Sequence, residues 1–279
     1  MKLEPAVQTM GLLENMWRKS RAMFTVYFAH MIVYRAEILI WMLSGIVPLI
    51  MMSVWIGKAT ANGGQLENFS AAQFAAYFLA AWVSQQLTVV WVAYELDFQI
   101  RQGELSSKLL RPMDYFWEQF FRHFTERFVR GPFILVIVIT GTLIVPNTRL
   151  TPDLWHVLEY LLVINLAFLM RFMIGYCIGT LCFWFENASA FNEFYFVLLI
   201  FLAGSFAPLE FYPPSVRAVI EWTPFPYSVY YPAKVLTGTL EPSETLRVIA
   251  MLLGWIGFFT VLRALLWRAG LKKYGAVGA

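Results

Sequence analysis

Two carboxylates, Glu95 and Asp97, form the closest pair of side chains in the sequence that could perform acid–base chemistry. An enzyme that modifies lipid at a membrane surface needs such carboxylates clustered with a histidine or a metal ion. The three histidines are scattered, however, and the two cysteines, Cys177 and Cys182, both fall within one apolar segment. The sequence therefore predicts neither a metal centre nor a disulfide framework. A membrane enzyme acting on lipid remains an alternative that rests on this pair of carboxylates alone.

No segment of the sequence has the pattern of a nucleotide-binding loop. The pattern G-x-x-x-x-G-K-[ST] is absent, and Gly57-Lys58 lacks both the upstream glycine and a preceding strand. We therefore expect this chain to bind neither ATP nor Mg²⁺ itself and to carry no cofactor.

The composition is that of a membrane protein. Of the 279 residues, 59% are hydrophobic and only 14% are charged, whereas soluble proteins usually carry about 25% charged residues. The formal net charge is +3, which gives no reason to expect nucleic-acid binding. We predict one integral membrane domain surrounded by lipid.

Six apolar segments are long enough to cross a bilayer as helices, each of which needs about 20 residues. They predict an all-α membrane protein with an amphipathic interfacial helix in residues 1–36, a membrane domain in residues 37–268 and a tail in residues 269–279. Lys and Arg concentrate in the N-terminal stretch, the second loop and the tail, so both termini are predicted to be cytoplasmic. The predicted spans are approximately residues 38–57, 72–94, 120–146, 157–185, 191–207 and 246–267.

The loop between spans two and three contains an ordered charge pattern in residues 100–112, called segment 100–112 below. A glutamate and a lysine are spaced as an i,i+4 ion pair, and two leucines share one helical face with a third leucine beside them. A glycine permits the turn before this pattern, and a proline ends it. The pattern predicts a short amphipathic helix, with an ordinary solvated loop as the alternative. The residues concerned are Gly103, Glu104, Leu105, Lys108, Leu109, Leu110 and Pro112.

A proline-rich segment, residues 208–242, separates spans five and six and contains seven of the thirteen prolines. It is apolar enough to enter the membrane but too broken to cross it. Non-helical backbone at membrane depth must be buried in protein or line a cavity. We predict a re-entrant helical hairpin on the outer side. The alternative is a surface loop, against which the many aromatic residues of the segment argue.

Polar and aromatic residues within the spans are candidates for a substrate path or a dimer interface. Polar groups in lipid face protein or water, so bonds that only hold helices together are the alternative explanation. An aromatic stripe at helical spacing is likewise usually packing. The candidates are Ser84, Gln85, Gln86 and Thr88 in span two, and Phe196 and Phe201 in span five.

Arg171 is a charge within span four. Burial of an arginine in a bilayer costs at least ~2.5–3.5 kcal/mol, so the side chain needs a partner or contact with water. A structural ion pair and a direct role in transport both explain its presence. The nearest acidic residues in the sequence are Glu186 and Glu193. In the same span, Gly175 and Gly179 predict a close approach of two helices within the chain.

These motifs together resemble the ABC-2-type transporter permeases, the membrane subunits of bacterial export ABC transporters. The resemblance covers nearly the whole chain and rests on the order of its elements. They are the N-terminal helix, the six spans, the R-x-G-E-L…L-L-R-P element from Arg101 to Pro112, P-L-E-F-Y-P from Pro208, and T-P-F from Thr223.

The resemblance implies a permease of the bacterial inner (plasma) membrane that pairs with a second permease, identical or related. Energy would come from ABC ATPase subunits, which bind ATP and Mg²⁺ and dock on segment 100–112 as a coupling helix. The mostly apolar and aromatic interior favours an amphipathic cargo: a lipid, a glycolipid or glycan, or a hydrophobic drug. A secondary transporter is a further alternative, although no inverted repeat with broken midplane helices is visible. The implied coupling residues are Arg101, Gly103, Glu104, Leu105, Lys108, Leu109, Leu110, Arg111 and Pro112.

Overall fold

The computed structural model of this protein describes residues 12–67, 69–145, 148, 150 and 154–274. Residues 1–11 of the predicted interfacial helix, residue 146 at the end of the third predicted span and residues 275–279 of the tail lie outside this set. The described chain is mostly helical, with one short hairpin of strands β1 (Gln65–Leu66) and β2 (Phe69–Ser70). Its α-helices are α1 (Leu12–Val33), α2 (Arg35–Ser44), α3 (Val47–Ala61), α4 (Ala71–Thr88), α5 (Val92–Arg101), α6 (Leu105–Leu109), α7 (Tyr115–Ile144), α8 (Leu154–Thr180), α9 (Ser189–Leu202), α10 (Pro214–Ile220), α11 (Tyr230–Leu236) and α12 (Pro242–Lys273).

Five helical stretches of the described chain are long and apolar enough to cross a membrane. The fifth predicted span corresponds to α9, which has 14 residues. At 1.5 Å per residue α9 is about 21 Å long, which is less than the roughly 30 Å of a bilayer core. Five spans are therefore confirmed by length and composition, and the sixth stays a prediction. The five stretches are Arg35–Ala61, Ala71–Arg101, Tyr115–Ile144, Leu154–Phe183 and Pro242–Lys273.

The first span is broken between α2 and α3, at Gly45 and Ile46. Pro48 has no N–H to donate to the carbonyl four residues earlier, and its ring clashes with that carbonyl. The helix therefore stops at Ser44 and starts again at Val47. Gly45 is buried, and a Cβ atom there would lie 2.7 Å from Nε2 of Gln86. The absence of a side chain at Gly45 thus allows the break to pack directly against α4.

The second span is also broken, between α4 and α5, where residues 89–91 are not helical. Neither Pro nor Gly marks this break in the sequence. It packs instead against α8: a Cβ atom on Gly175 would lie 2.9 Å from Cγ1 of Val92, and one on Gly179 would lie 2.8 Å from Cβ of Leu96. The two glycines therefore serve packing within the chain, as predicted. The sequence predicted both spans but neither of their breaks.

The centre of the bundle is formed by α4 and α8, whose residues are mostly buried. The α3, α7 and α11 helices pack around α4, and α12 lies along α8 with most of its surface exposed. Towards segment 100–112, an aromatic cluster joins α7, α8 and α12. In this cluster Tyr115 stacks on Trp267 at 5.8 Å between ring centroids, and Phe116 contacts Phe172 edge-to-face at 5.5 Å. The residues next to segment 100–112 are thus tied to the body of the bundle.

The N-terminal helix α1 packs along α7. Phe24 stacks on Phe28 and meets the edge of Phe128 of α7 at 5.3 Å. Arg18 and Arg21 lie on the exposed side of α1. This arrangement has the two faces expected of an interfacial helix.

Residues 203–241, which include nearly all of the proline-rich segment, fold onto α4 and α8. The α11 helix buries both Tyr230 and Tyr231. The Tyr230 hydroxyl donates to Oε1 of Glu210 at 2.8 Å, and Nζ of Lys234 contacts the same oxygen at 3.1 Å. The Tyr77 hydroxyl donates to the carbonyl of Gly204 at 2.8 Å. The segment is thus packed protein rather than a solvated loop, while its re-entrant path in a membrane stays a prediction.

Candidate functional site

Segment 100–112 connects α5 to α7 and contains a helix shorter than the sequence predicted. Arg101 ends α5, Gly103 adopts a left-handed φ of 72°, and α6 covers only Leu105–Leu109. Asp114 then caps α7, since its side chain accepts from the backbone N–H of Phe116 at 2.9 Å. The turn at Gly103 therefore has the backbone geometry for which glycine was predicted.

The leucines of segment 100–112 divide between the protein interior and its surface. Leu105 is fully buried, whereas Leu109 is 39% exposed and Leu110 is 88% exposed. Leu105 fixes the segment to the bundle, and Leu110 presents an apolar side chain to the outside. Surface leucines are ordinary singly, but Leu110 lies beside the exposed Arg111 and Pro112. This combination of an apolar centre and a charged edge suits contact with another protein.

Ion pairs connect segment 100–112 to its neighbours. Nζ of Lys108 lies 3.5 Å from Oε1 of Glu118 in α7, and Nη1 of Arg111 lies 3.3 Å from Oε2 of the same carboxylate. The predicted pairing of Lys108 with Glu104 was wrong. Glu104 is exposed, where an ion pair contributes little, whereas the Glu118 carboxylate is buried and within reach of Lys108. The Ser106 hydroxyl also contacts the Tyr274 hydroxyl at 3.1 Å, beyond the end of α12.

The N-terminal helix also reaches the neighbourhood of Glu118. Burial, and then the negative charge of Glu118, raise the pKa of Tyr27 in α1 to about 12. Tyr27 therefore stays protonated at physiological pH beside the carboxylate that holds segment 100–112. The α1 helix, α7 and the segment thus meet around one acidic side chain.

Glu95 and Asp97, the carboxylates on which the enzyme alternative rests, form separate ion pairs. Oδ2 of Asp97 is 2.5 Å from Nη2 of Arg101. Oε1 of Glu95 is 3.3 Å from Nε of Arg122 and 3.9 Å from Nε2 of His123. His123 is a neighbour that the sequence did not reveal, because it comes from α7. Among the described residues no group of three acidic, His or Cys side chains could hold a metal ion.

A buried polar cluster links the break in the first span to α7. Nε2 of Gln86 donates to the carbonyl of Met42 at 3.1 Å, just before the break. Oε1 of the same amide accepts from Nη1 of Arg130 at 3.0 Å. Arg130 also pairs with Glu126, one turn earlier on α7. The i,i+4 spacing of these two charges within the predicted third span was a signal for this pair, and the sequence analysis did not use it.

Arg171 lies beside this cluster and is 1% exposed. Its Nη1 donates to the Thr88 hydroxyl at 2.9 Å, and its Nε has no hydrogen-bond acceptor. The Tyr195 hydroxyl is close enough to interact with it electrostatically. Neither acidic residue suggested by the sequence is its partner, because Glu186 and Glu193 are exposed while Arg171 is buried. Within the described part of the chain, Arg171 makes no ion pair.

Two cavities meet at the breaks in the first two spans. The deep cavity has a volume of about 240 Å³, and the wide cavity has a volume of about 720 Å³. They share the walls formed by Trp41, Trp91 and Tyr94. The deep cavity is lined by, among others, Gly45, Gln85, Gln86, Arg130, Arg171, Phe196 and Ser205. The wide cavity also has His30, Glu37, Glu95, Arg122 and Glu126 in its walls.

The structure brings some of the predicted path residues to the deep cavity and leaves others elsewhere. Gln85, Gln86 and Phe196 line it. Thr88 does not line it, but its hydroxyl accepts a hydrogen bond from Arg171, which does. Ser84 instead shares a hydrogen bond with the Tyr160 hydroxyl at 3.2 Å. Phe201 is 47% exposed on the outside of α9 and packs on Phe206. Trp41 and Trp91 were missed, since nothing local distinguishes them from tryptophans that only anchor a helix.

Comparison with known proteins agrees with this architecture. Residues 46–278 match the family model described as ABC-2 family transporter protein. A search of curated proteins finds no match. The matched region includes segment 100–112, the break in the second span and all of the deep-cavity lining except Trp41 and Gly45, and it extends over most of the 279 residues. The resemblance inferred from the sequence is thereby confirmed, and the chain is a member of the ABC-2 transporter family, the membrane subunits of ABC transporters.

Proposed function

We propose that this chain exports an amphipathic cargo and is driven by a partner ATPase that docks on segment 100–112. The observation that carries the proposal is the form of this segment: buried at Leu105, held by Glu118, and exposed at Leu110 and Arg111. A handle for a partner must combine a firm attachment with an accessible tip. ATP and Mg²⁺ belong to the partner in this proposal.

The α7 helix supplies a route from the docking surface to the cavities. Glu118 holds segment 100–112 near one end of α7, and Glu126 and Arg130 of the same helix line the cavities. Glu118 and Arg130 are twelve residues apart, about 18 Å along a continuous helix. A displacement of the segment would therefore move the cavity wall. A partner can drive transport only if it binds two states of the membrane domain differently.

The cavity walls support an amphipathic cargo moved from the cytoplasmic side. Aromatic side chains such as Trp41, Trp91 and Phe196 offer apolar contact, and Gln85 and Gln86 offer hydrogen bonds. We place a second permease against the exposed face of α9. The chain would lie in the bacterial inner membrane with both termini in the cytoplasm, as the Lys and Arg distribution favours.

The alternatives have less support than ATP-driven export. Broken helices beside a cavity also occur in secondary transporters, but family membership favours an ATP-driven subunit. An enzyme acting on lipid would need Glu95 and Asp97 to act together, whereas each pairs with a different arginine.

Co-purification from the native membrane tests the proposal. We expect an ABC ATPase to accompany the chain in stoichiometric amount. The variant Leu110→Asp should lose that ATPase, because it places a charge at the centre of the docking surface. Leu110 is a better probe than Leu105, whose burial means that an aspartate there would disturb the fold itself.

The control is Ser215→Asp, which adds the same charge at an exposed position in α10. The Ser215→Asp variant should still insert into the membrane and still co-purify with the ATPase. If Leu110→Asp retains the ATPase as fully as Ser215→Asp does, segment 100–112 is not the docking site.

A further inference from the structure

We propose that the deep cavity binds an anionic group of the cargo, a phosphate or a carboxylate, through the guanidinium of Arg171. This inference rests on the proposed function, since it assumes that the cargo is amphipathic and enters these cavities. It adds that the polar end of the cargo carries negative charge.

The balance of charge around the deep cavity is positive. The positive charge of Arg130 is compensated by Glu126, with which it forms an ion pair. Among the described residues Arg171 has one hydrogen-bond partner, the neutral hydroxyl of Thr88, and the neutral hydroxyl of Tyr195 lies near it. Arg130 is also near enough to repel it. A buried guanidinium is unfavourable in a medium of low dielectric constant unless an opposite charge compensates it. A bound anion would supply that charge.

The hydrogen-bonding groups of Arg171 leave room for such an anion. A guanidinium has five N–H donors arranged as a planar fork, which matches the oxygens of a phosphate or carboxylate. In Arg171, Nη1 donates to Thr88 and Nε has no acceptor; Nε of Arg127 also has none, but only the side chain of Arg171 lines the deep cavity. Gln85 and Ser205 line the same cavity; the Ser205 hydroxyl donates to Oε1 of Gln85 at 3.4 Å, and the amide nitrogen of Gln85 could donate to a further oxygen.

The sizes of the two cavities indicate where each part of a ligand would lie. The deep cavity, at about 240 Å³, has a third of the volume of the wide cavity, at about 720 Å³, and therefore suits the smaller, charged end of a ligand. The chains would pass between Trp41, Trp91 and Tyr94 into the wide cavity. There, Glu95 is paired with Arg122, and Glu37 accepts a hydrogen bond from Nε1 of Trp41, so the charge of the wide cavity is not positive. The unbalanced positive charge is thus in the deep cavity, and the larger apolar volume adjoins it.

A binding measurement on the purified chain in an uncharged maltoside detergent tests this site. The probes are dioctanoyl phosphatidic acid, dioctanoylglycerol, which has the same chains without the phosphate, and inorganic phosphate. Binding is followed by tryptophan fluorescence, because Trp41 and Trp91 line both cavities. We expect dioctanoyl phosphatidic acid to bind at least ~10-fold more tightly than dioctanoylglycerol, a difference of about 1.4 kcal/mol.

Variants assign that preference to Arg171. Arg171→Gln should reduce it to less than ~3-fold, and Arg171→Lys should leave an intermediate preference because it keeps the charge and loses the fork. Arg127→Gln is the matched control: Arg127 is also buried, but it donates to Asn165 at 2.9 Å and packs on Phe168, away from the deep cavity. It should keep the full preference.

Three results would overturn the inference. The first is equal binding of the two lipids by the unmodified chain, which holds whether or not any variant folds. The second is that Arg127→Gln and Arg171→Gln reduce the preference for dioctanoyl phosphatidic acid over dioctanoylglycerol equally. The third is binding of inorganic phosphate as tight as that of dioctanoyl phosphatidic acid, which would leave no role for the apolar walls. No ATPase enters the measurement, so its failure would leave the docking proposal intact, and failure of the docking test would leave this site intact.

Discussion

At the scale of single residues, the two buried arginines that line the deep cavity differ in their partners. Glu126 and Arg130 satisfy each other, and Gln86 adds a hydrogen bond to Arg130. Arg171 has a hydroxyl for its partner instead of a carboxylate. The ion pair of Arg130 with Glu126 stabilises the buried cluster, and the lack of a carboxylate beside Arg171 indicates where the charge of a ligand would bind.

Removal of one member of the buried ion pair should destabilise the protein strongly. Glu126→Ala leaves the Arg130 guanidinium buried with Gln86 alone, and loss of one partner of a buried pair costs roughly 3–5 kcal/mol. Glu221→Ala is the control, since Glu221 pairs at the same i,i+4 spacing with Arg217, whose side chain is 40% exposed against 2% for Arg130. A surface pair contributes only about 0–1 kcal/mol. Thermal unfolding in detergent measures the stability of both variants. Equal losses of stability in Glu126→Ala and Glu221→Ala would show that the buried pair contributes no more than the exposed one.

At the scale of helices, the sequence predicted where the long elements lie better than how they are interrupted. Apolar length identified five of the spans, and the glycine and proline of segment 100–112 marked its turn and its end. The break after Thr88 carries no such marker; it depends on contacts of Val92 and Leu96 with glycines in α8, more than 75 residues away. The deep cavity could not be predicted for the same reason, because its walls come from helices distant in the chain.

Two glycines of the first span should respond oppositely to substitution. Gly45→Ala places a Cβ atom 2.7 Å from Nε2 of Gln86, which would displace the amide from the Met42 carbonyl. Gly57→Ala, in α3, meets nothing within 4 Å and should stabilise the helix by up to about 1 kcal/mol. Thermal unfolding should therefore show a lower midpoint for the first variant and an unchanged or higher one for the second. A stable Gly45→Ala protein would mean that the break does not pack as described.

At the scale of the whole molecule, the account requires that segment 100–112 faces the cytoplasm. The Lys and Arg distribution predicts this orientation, which places the turn between α8 and α9 on the inside and α10 on the outside.

Labelling of single cysteines tests the orientation. Both native cysteines are buried and can be replaced by alanine. A cysteine at the exposed Asn187 should react with a membrane-impermeant maleimide only after the cells are opened, and one at the exposed Ser215 should react in intact cells. The reverse pattern would place segment 100–112 outside, where no ATPase could reach it.

The central claim is that an ATPase binds at the tip of segment 100–112, and a photo-reactive residue at position 110 tests it most directly. Leu110 and Leu143 are both highly exposed leucines, 88% and 78%, the first in the segment and the second near the other end of α7. In native membranes, illumination should attach an ATPase subunit to a photo-reactive side chain at position 110 and not to one at position 143. Attachment at neither position, or equally at both, would contradict the account.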